Sequence, residues 1–244
     1  MLPLVLYDIL SKLPGNSWSA NPAKPRFVLS YKKLPFDTVF VEYCDIAPKM
    51  KEIGASPNKR DGSVVYTLPV LSDPNTGALI TDSWAIAVYL DETYPENPVF
   101  PEGSRGLIRS FESAVDALLR AFLEFSLLRS SQILNERGQK FFINVREAFF
   151  GEKVDEWSPE GQKRDAQWEA LEQKYYGSAK IWYEEIEGKW VMGDTFSYAD
   201  IIFAAKSFWL KKVCWDDEWK RIASLHDGRW KKLLAEAEKE CNLV

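Results

Sequence analysis

The sequence predicts a small mixed α/β unit followed by an all-helical one, and three observations lead there. Strand and helix signals alternate over the first 95 residues. A proline-punctuated connector, PENPVFPEG from Pro95 to Gly103, follows them. From Ile108 onward, apolar residues recur at helical spacing. The chain has 244 residues, enough for two units with separate cores. The expected division is 1–95 and 104–244.

Leu4–Asp8, within PLVLYDI, is a compact strand-type run. The next stretch, SWSANPAKPR from Ser17 to Arg26, crowds the small polar residues and prolines of a turn. FVLSYKK then reads as helix, Arg26 to Lys33. Pro25 lacks an N–H donor, so the first helix is predicted to start late. Asp37–Glu42, DTVFVE, is rich in β-branched and aromatic residues and reads as strand. DIAPKMKEIG is a short helix closing on Gly54. TLPVLSD and GALITD flank Pro74, Asn75 and Thr76 as a hairpin, and Asp82–Tyr94 is an amphipathic helix. The order is β-α-β-α-β-β-α. FESAVDALLRAFLEFSLL, REAFF, RDAQWEALEQKYYGSAKIWYEEI and ADIIFAAKSFWLKKV supply the helical half, with EKVDEWSPEGQ as an exposed interhelix loop.

Composition removes several functions. A formal charge of −5 argues against nucleic acid or an anionic membrane as the main partner. The 3 cysteines, Cys44, Cys214 and Cys241, lie far apart without CxxC spacing, so packing is expected and no metal or redox motif is. His226 is the single histidine, expected at a helix end, and histidine acid–base chemistry at the SWSANPAKPR junction is not expected. No apolar run approaches a membrane span. MLPLVLYD is too short for a signal peptide and lacks its basic start, so the expected location is cytoplasmic. Aromatic residues, 10 Trp, 10 Tyr and 14 Phe, supply large rings for a core, with a few left for a ligand pocket.

Two motifs carry alternatives. Pro69 interrupts a strand: it is either an edge proline that blocks pairing, or part of a cis Leu68–Pro69 turn leaving the Leu68 backbone open to an added peptide. Asp82 and Ser83 open a helix and serve as caps. The same pair suits an amino acid head group, Ser83 with backbone N–H groups for an α-carboxylate and Asp82 for an α-ammonium. In MGDTFSYADI, Ser197 and Asp200 stand at capping-box spacing, with Asp in place of the usual Glu.

TLPVL, DSWAIAVYLD at this distance, the Ser197–Asp200 box and the all-helical second half together resemble the glutathione transferase family. Narrower features are LYD, SWSxN, EYxDI, KEIGASP, DSWAIAVYLDxxYP and HDGRW. They are similar to the etherase-related transferases, especially the fungal-specific class A of wood-decaying fungi, and to bacterial β-etherases. The resemblance implies a thioredoxin-like glutathione-binding half and a helical half supplying a hydrophobic pocket. It also implies glutathione as co-substrate, no metal, a serine-type transferase and a homodimer. Second substrates would be hydrophobic aromatic electrophiles, phenolic, lignin-derived or otherwise xenobiotic, with etherase-like or peroxidase side activity open. A ligandin that binds glutathione and polyphenols with little turnover is the alternative.

In the family the catalytic hydroxyl lies between the first strand and first helix, in a pattern S-P-N-x-W-K-x-R. Ser19, Asn21, Lys24 and Arg26 match it, while Ala20, Pro22, Ala23 and Pro25 depart from it. Ser19 is the first candidate to hold the sulfur, Ser17 the second, and Tyr7 a third. Asn21, Thr67, Leu68, Pro69, Asp82, Ser83 and Lys51 are expected around glutathione, with Lys49 an alternative to Lys51. Trp18, Phe122 and Phe125, together with Trp209, are candidates for the aromatic pocket. Arg26 is expected as a surface charge or a salt-bridge partner.

Overall fold

The computed structural model describes residues 1–60, 63–185 and 187–243. Its main sheet has the order β2-β1-β5-β6, built from β1 (Leu4–Ile9), β2 (Phe36–Val41), β5 (Val70–Asp73) and β6 (Ala78–Thr81). β1 and β2 run parallel with Leu6 opposite Thr38. β5 is antiparallel to both β1 and β6, with Leu71 opposite Leu6 and Ile80. A parallel pair needs a crossover, and α1 (Ala20–Tyr31) provides it. Leu4, Leu6, Val70 and Leu71 are fully buried in this sheet. A short hairpin of β3 (Asn58–Arg60) and β4 (Ser63–Val65) stands apart from it and was not legible in the sequence. α2 (Ile46–Glu52) and α3 (Ser83–Thr93) complete this half.

The first helix corrects the sequence-based expectation. α1 begins at Ala20 and contains both Pro22 and Pro25. Pro22 occupies the third helical position, where an N–H has no intrahelical partner to lose. Pro25 forfeits one bond, to the carbonyl of the exposed residue Asn21, at a cost of about 3 kcal/mol or less so close to the helix start. Burying Phe27, Val28 and Leu29 completely offsets it, since each contributes about 1.5–3 kcal/mol. Packing decides the boundary.

The second half consists of α4 (Arg105–Leu119), α5 (Leu123–Gln132), α6 (Glu136–Phe150), α7 (Gln162–Glu169), α8 (Gly177–Glu184), α9 (Tyr198–Val213) and α10 (Asp216–Glu240). A π-helical turn, Ala170–Tyr176, joins α7 to α8. The EKVDEWSPEGQ segment is less exposed than its composition predicts: Trp157 is fully buried, its ring 5.3 Å from that of Phe150. α9 is the central helix, with Ile201, Ile202, Phe203 and Ala205 at zero exposure. Its start is tightly capped. The Asp200 carboxylate accepts the Ser197 N–H and hydroxyl, each at 3.0 Å, the Val191 N–H at 2.9 Å and the Tyr183 hydroxyl at 3.2 Å. Burial pushes the Asp200 carboxyl up to about 6, against the pull of these donors. α10 is broken where His226, Asp227 and Gly228 adopt left-handed backbone. There His226 Nδ1 accepts the Trp230 indole N–H at 2.8 Å.

A buried ion pair joins the halves. Lys24 of α1 meets Glu112 of α4 at 2.7 Å. Lys32 pairs with Asp91 at 2.8 Å and donates to the carbonyls of Tyr94, Glu96 and Asn97, clamping the start of the connector.

Candidate functional site

The β1–α1 junction is built over one buried carboxylate. Asp8, at 0% exposure, accepts the Ile9 N–H at 2.7 Å, the Ser17 hydroxyl at 3.2 Å and Arg26 Nη2 at 2.9 Å. Burial raises its pKa against the opposing Arg26 charge. Ser17 is therefore committed to Asp8, and Arg26 is a buried-side partner rather than a surface charge. Ser19 differs. It is the N-cap of α1, with φ −74° and ψ 133°, yet its side chain makes no capping hydrogen bond. Its carbonyl accepts the Ala23 N–H at 3.0 Å, and the residue is half-buried. A hydroxyl thus stands at the positive end of a helix with none of the helix's own donors using it. Asn21, two positions on, is exposed.

The second element is the turn into β5. The Leu68–Pro69 bond is cis. Among the described residues neither the N–H nor the C=O of Leu68 joins a backbone hydrogen bond. Thr67 Oγ1 accepts the Asn58 side-chain amide, which ties the turn to the β3–β4 hairpin. Lys51 is exposed, with its ammonium 5.4 Å from the Tyr66 ring centre. Lys49 instead pairs with Glu52 at 2.6 Å.

The third element is the start of α3. Asp82 holds φ 86° and ψ 134°, a positive φ that costs a non-glycine residue about 1–3 kcal/mol. Its carboxylate accepts the Trp84 N–H at 2.9 Å and the Ala85 N–H at 3.2 Å, and its own N–H reaches the Pro69 carbonyl at 3.4 Å. That last bond joins this element to the cis turn. Ser83 follows as the first helical residue, at 5% exposure.

The proposed aromatic pocket residues fare otherwise. Phe122 and Phe125 are buried in the core. They are exposed by 0% and 1%, packed on Tyr175 and Trp168 with ring centres 5.3 and 5.1 Å apart. Their helical spacing served the core, where burying such rings is most favourable. Trp209 is also core, donating its indole N–H to Ser130 at 2.9 Å. Trp18, between the two serines, is 4% exposed and packs in the core. A cleft of about 240 Å³ lined by Trp168, Trp215, Arg164 and Arg221 lies wholly in the helical half and includes none of the candidate residues.

Tyr7 sits in β1 opposite Val39 and Val70. Cys44 is half-exposed, and burial together with Asp45 keeps its thiol above the usual value, the opposite of an activated thiolate. Burial lifts Cys214 to about 12 and raises Cys241 as well. Among the described residues no group of three or more His, Cys, Asp or Glu side chains converges as a metal site. No described helix is long and apolar enough to cross a membrane.

Comparison of the whole chain decides the family. A model of the glutathione S-transferase C-terminal domain matches residues 106–239, and a model of the N-terminal domain matches 18–93. The chain belongs to the glutathione S-transferase family. A glutathione S-transferase-like protein, ustS, of Aspergillus flavus is 32% identical over 95% of this chain and 88% of its own length. The glutathione S-transferase CsGST63524 of Ceriporiopsis subvermispora, crystallised in complex with glutathione, is 39% identical. It covers 98% of both chains with a TM-score of 0.91. The transferase GSTFuA3 of Phanerochaete chrysosporium is 34% identical over 98% of both chains, with a TM-score of 0.82. The glutathione S-transferase neighbours thus include members of the fungal class to which LYD, SWSxN and HDGRW are similar. Within this family fold, the residue that sequence reasoning missed is Asp8. Its signal was present in LYD, but only the fold brings it under Ser17 and Arg26.

Proposed function

We propose that this transferase conjugates glutathione to hydrophobic aromatic electrophiles, or cleaves them with it, and that Ser19 holds the sulfur as a thiolate. One observation carries the reading. Of the two junction serines, Ser17 spends its hydroxyl on Asp8, while Ser19 caps α1 without spending its own. The glutathione complexes known for the Ceriporiopsis relatives support the choice of thiol.

In this reading the tripeptide lies as an added strand along Leu68, before Pro69. Its γ-glutamyl end meets Asp82 and Ser83, and its glycyl carboxylate lies toward Thr67 and Lys51, with Asn21 near the sulfur. A free thiol titrates near 8.5, so only a few per cent is thiolate at neutral pH. A hydroxyl donor plus the N–H groups of Ala20 and Asn21 at the start of α1 lower that value by about two units, worth roughly 2.7 kcal/mol. The thiol proton leaves to solvent. The thiolate lone pair then forms the C–S bond, and the leaving group departs with its bonding pair. Serine donates throughout and is never the nucleophile.

The reading also takes residues 1–95 as the glutathione half and 104–244 as the half facing the second substrate. A homodimer is proposed from the family, and a cytoplasmic location from the three free cysteines. The test is Ser19→Ala with an aryl halide substrate and calorimetry of glutathione binding. Turnover is expected to fall about tenfold to a hundredfold while glutathione affinity changes by less than about threefold. Unchanged turnover in Ser19→Ala with a collapse in Ser17→Ala would transfer the role to Ser17. Firm binding of polyphenols with negligible turnover by the unaltered protein would make it a ligandin.

A further inference from the structure

We propose that Tyr198, on the first turn of the central helix of the other half, is a positioning residue for glutathione binding. Its hydroxyl donates to the Ser83 carbonyl at 3.1 Å, across 115 positions of sequence. This inference rests on the reading that Asp82 and Ser83 receive the γ-glutamyl end.

The junction it reaches needs holding. Asp82 sits at φ 86°, and such a backbone persists only where its surroundings over-determine it. Three of the restraints are local to the first half: the two N–H groups bound by the Asp82 carboxylate, and the Asp82 N–H on Pro69. Tyr198 supplies a fourth from outside. Its own place is strictly set, because its N–H donates to the Val99 carbonyl at 2.7 Å and the side chain has no exposure. Its ring lies 5.6 Å from Trp84, the residue after Ser83, and 5.1 Å from Phe100. The Ser197–Asp200 box fixes the helix turn on which Tyr198 sits. Burial keeps the phenol protonated, and the nearby Glu112 and Asp82 charges act in the same sense. The hydroxyl is thus a permanent donor.

The Ser83 carbonyl is also within the α3 ladder, so losing the tyrosine hydroxyl leaves it paired. The expected consequence is a looser Asp82–Ser83 junction rather than an unfolded one. A ligand that must find that junction formed then binds less well.

The experiment is Tyr198→Phe beside Ser83→Ala and Ser197→Ala, each followed by calorimetry of glutathione binding, steady-state kinetics and thermal melting. Tyr198→Phe is expected to raise the glutathione Kd and KM roughly threefold to tenfold, with kcat at saturating glutathione unchanged. Hydrogen exchange at the Trp84 and Ala85 amides is expected to quicken in the same variant. Ser197→Ala reports the cost of a weakened cap, chiefly as a lower Tm. Wild-type glutathione affinity in Tyr198→Phe, with affinity lost in Ser83→Ala, overturns the role of Tyr198 alone. Wild-type affinity in Ser83→Ala overturns the glutamyl-site reading and this inference together. An affinity loss that merely tracks Tm, as in Ser197→Ala, also overturns the positioning role.

Discussion

The helix starts of α1 and α3 solve the same problem differently. Both follow a strand, and both have polar N-caps. At α3 the Asp82 carboxylate is spent on its own helix, closing on two amide groups and stabilising a left-handed backbone. At α1 the Ser19 side chain caps nothing, and the rigidity comes from below, where Asp8 grips Ser17 and Arg26. The start of α9 marks the other limit, since the Ser197 N–H and hydroxyl both close on the Asp200 carboxylate. A cap that its helix does not use is free for chemistry. One that is fully used is architecture.

The largest effect expected is at the support of the α1 junction. Asp8→Ala leaves the Arg26 guanidinium without its carboxylate, and Arg26 is only 17% exposed at its side chain. A loss of about 3 kcal/mol in urea unfolding is expected, and a change below 1 kcal/mol would refute this view of Asp8 as the anchor. Next comes Ser19→Ala, which should lower turnover while leaving the urea midpoint in place, because the hydroxyl makes no capping bond to lose. A midpoint shift typical of a lost cap, about 1 kcal/mol, would show that the cap was in use after all. Asp82→Ala should show the converse pattern. It is expected to cost about 1–2 kcal/mol of stability through the lost cap, and to weaken glutathione binding in parallel.

The smallest effect expected concerns pH and the fully used box. Burial pushes the Asp200 carboxyl up to about 6 in the fold, from an ordinary value near 3.8. The folded state therefore holds this proton more tightly than the unfolded chain. The group's contribution to stability is full below about 4 and is lost as pH rises to about 6. Asp200→Asn should accordingly cost more at pH 4 than at pH 7, by on the order of 1 kcal/mol, read from paired melts. A penalty that grew with pH would reverse the sign and remove burial as the dominant cause.

Much of this was legible beforehand because it is local. Strand and helix order in the first half, the proline at the turn before β5, the capping spacing of Ser197 and Asp200 and the Asp82–Ser83 helix start are all contained within a few residues. The errors came where packing outweighed local preference. Pro25 reads as a helix barrier, yet three buried neighbours carry α1 through it. Trp157 reads as loop, yet its ring is buried against Phe150. Phe122 and Phe125 carry the same spacing whether they face a core or a pocket, so periodicity alone had no means of separating the two.

The residues alone thus determined the order of strands and helices in the two halves, since hydrophobic period, turn residues and helix caps act over short range, while the candidate contacts came from the family resemblance. Which serine is free, what anchors the junction and how the second half reaches the first were decided by tertiary structure. Asp8 with Arg26, Lys24 with Glu112 and Tyr198 with Ser83 are partners distant in sequence, and only the folded core brings them within hydrogen-bonding reach.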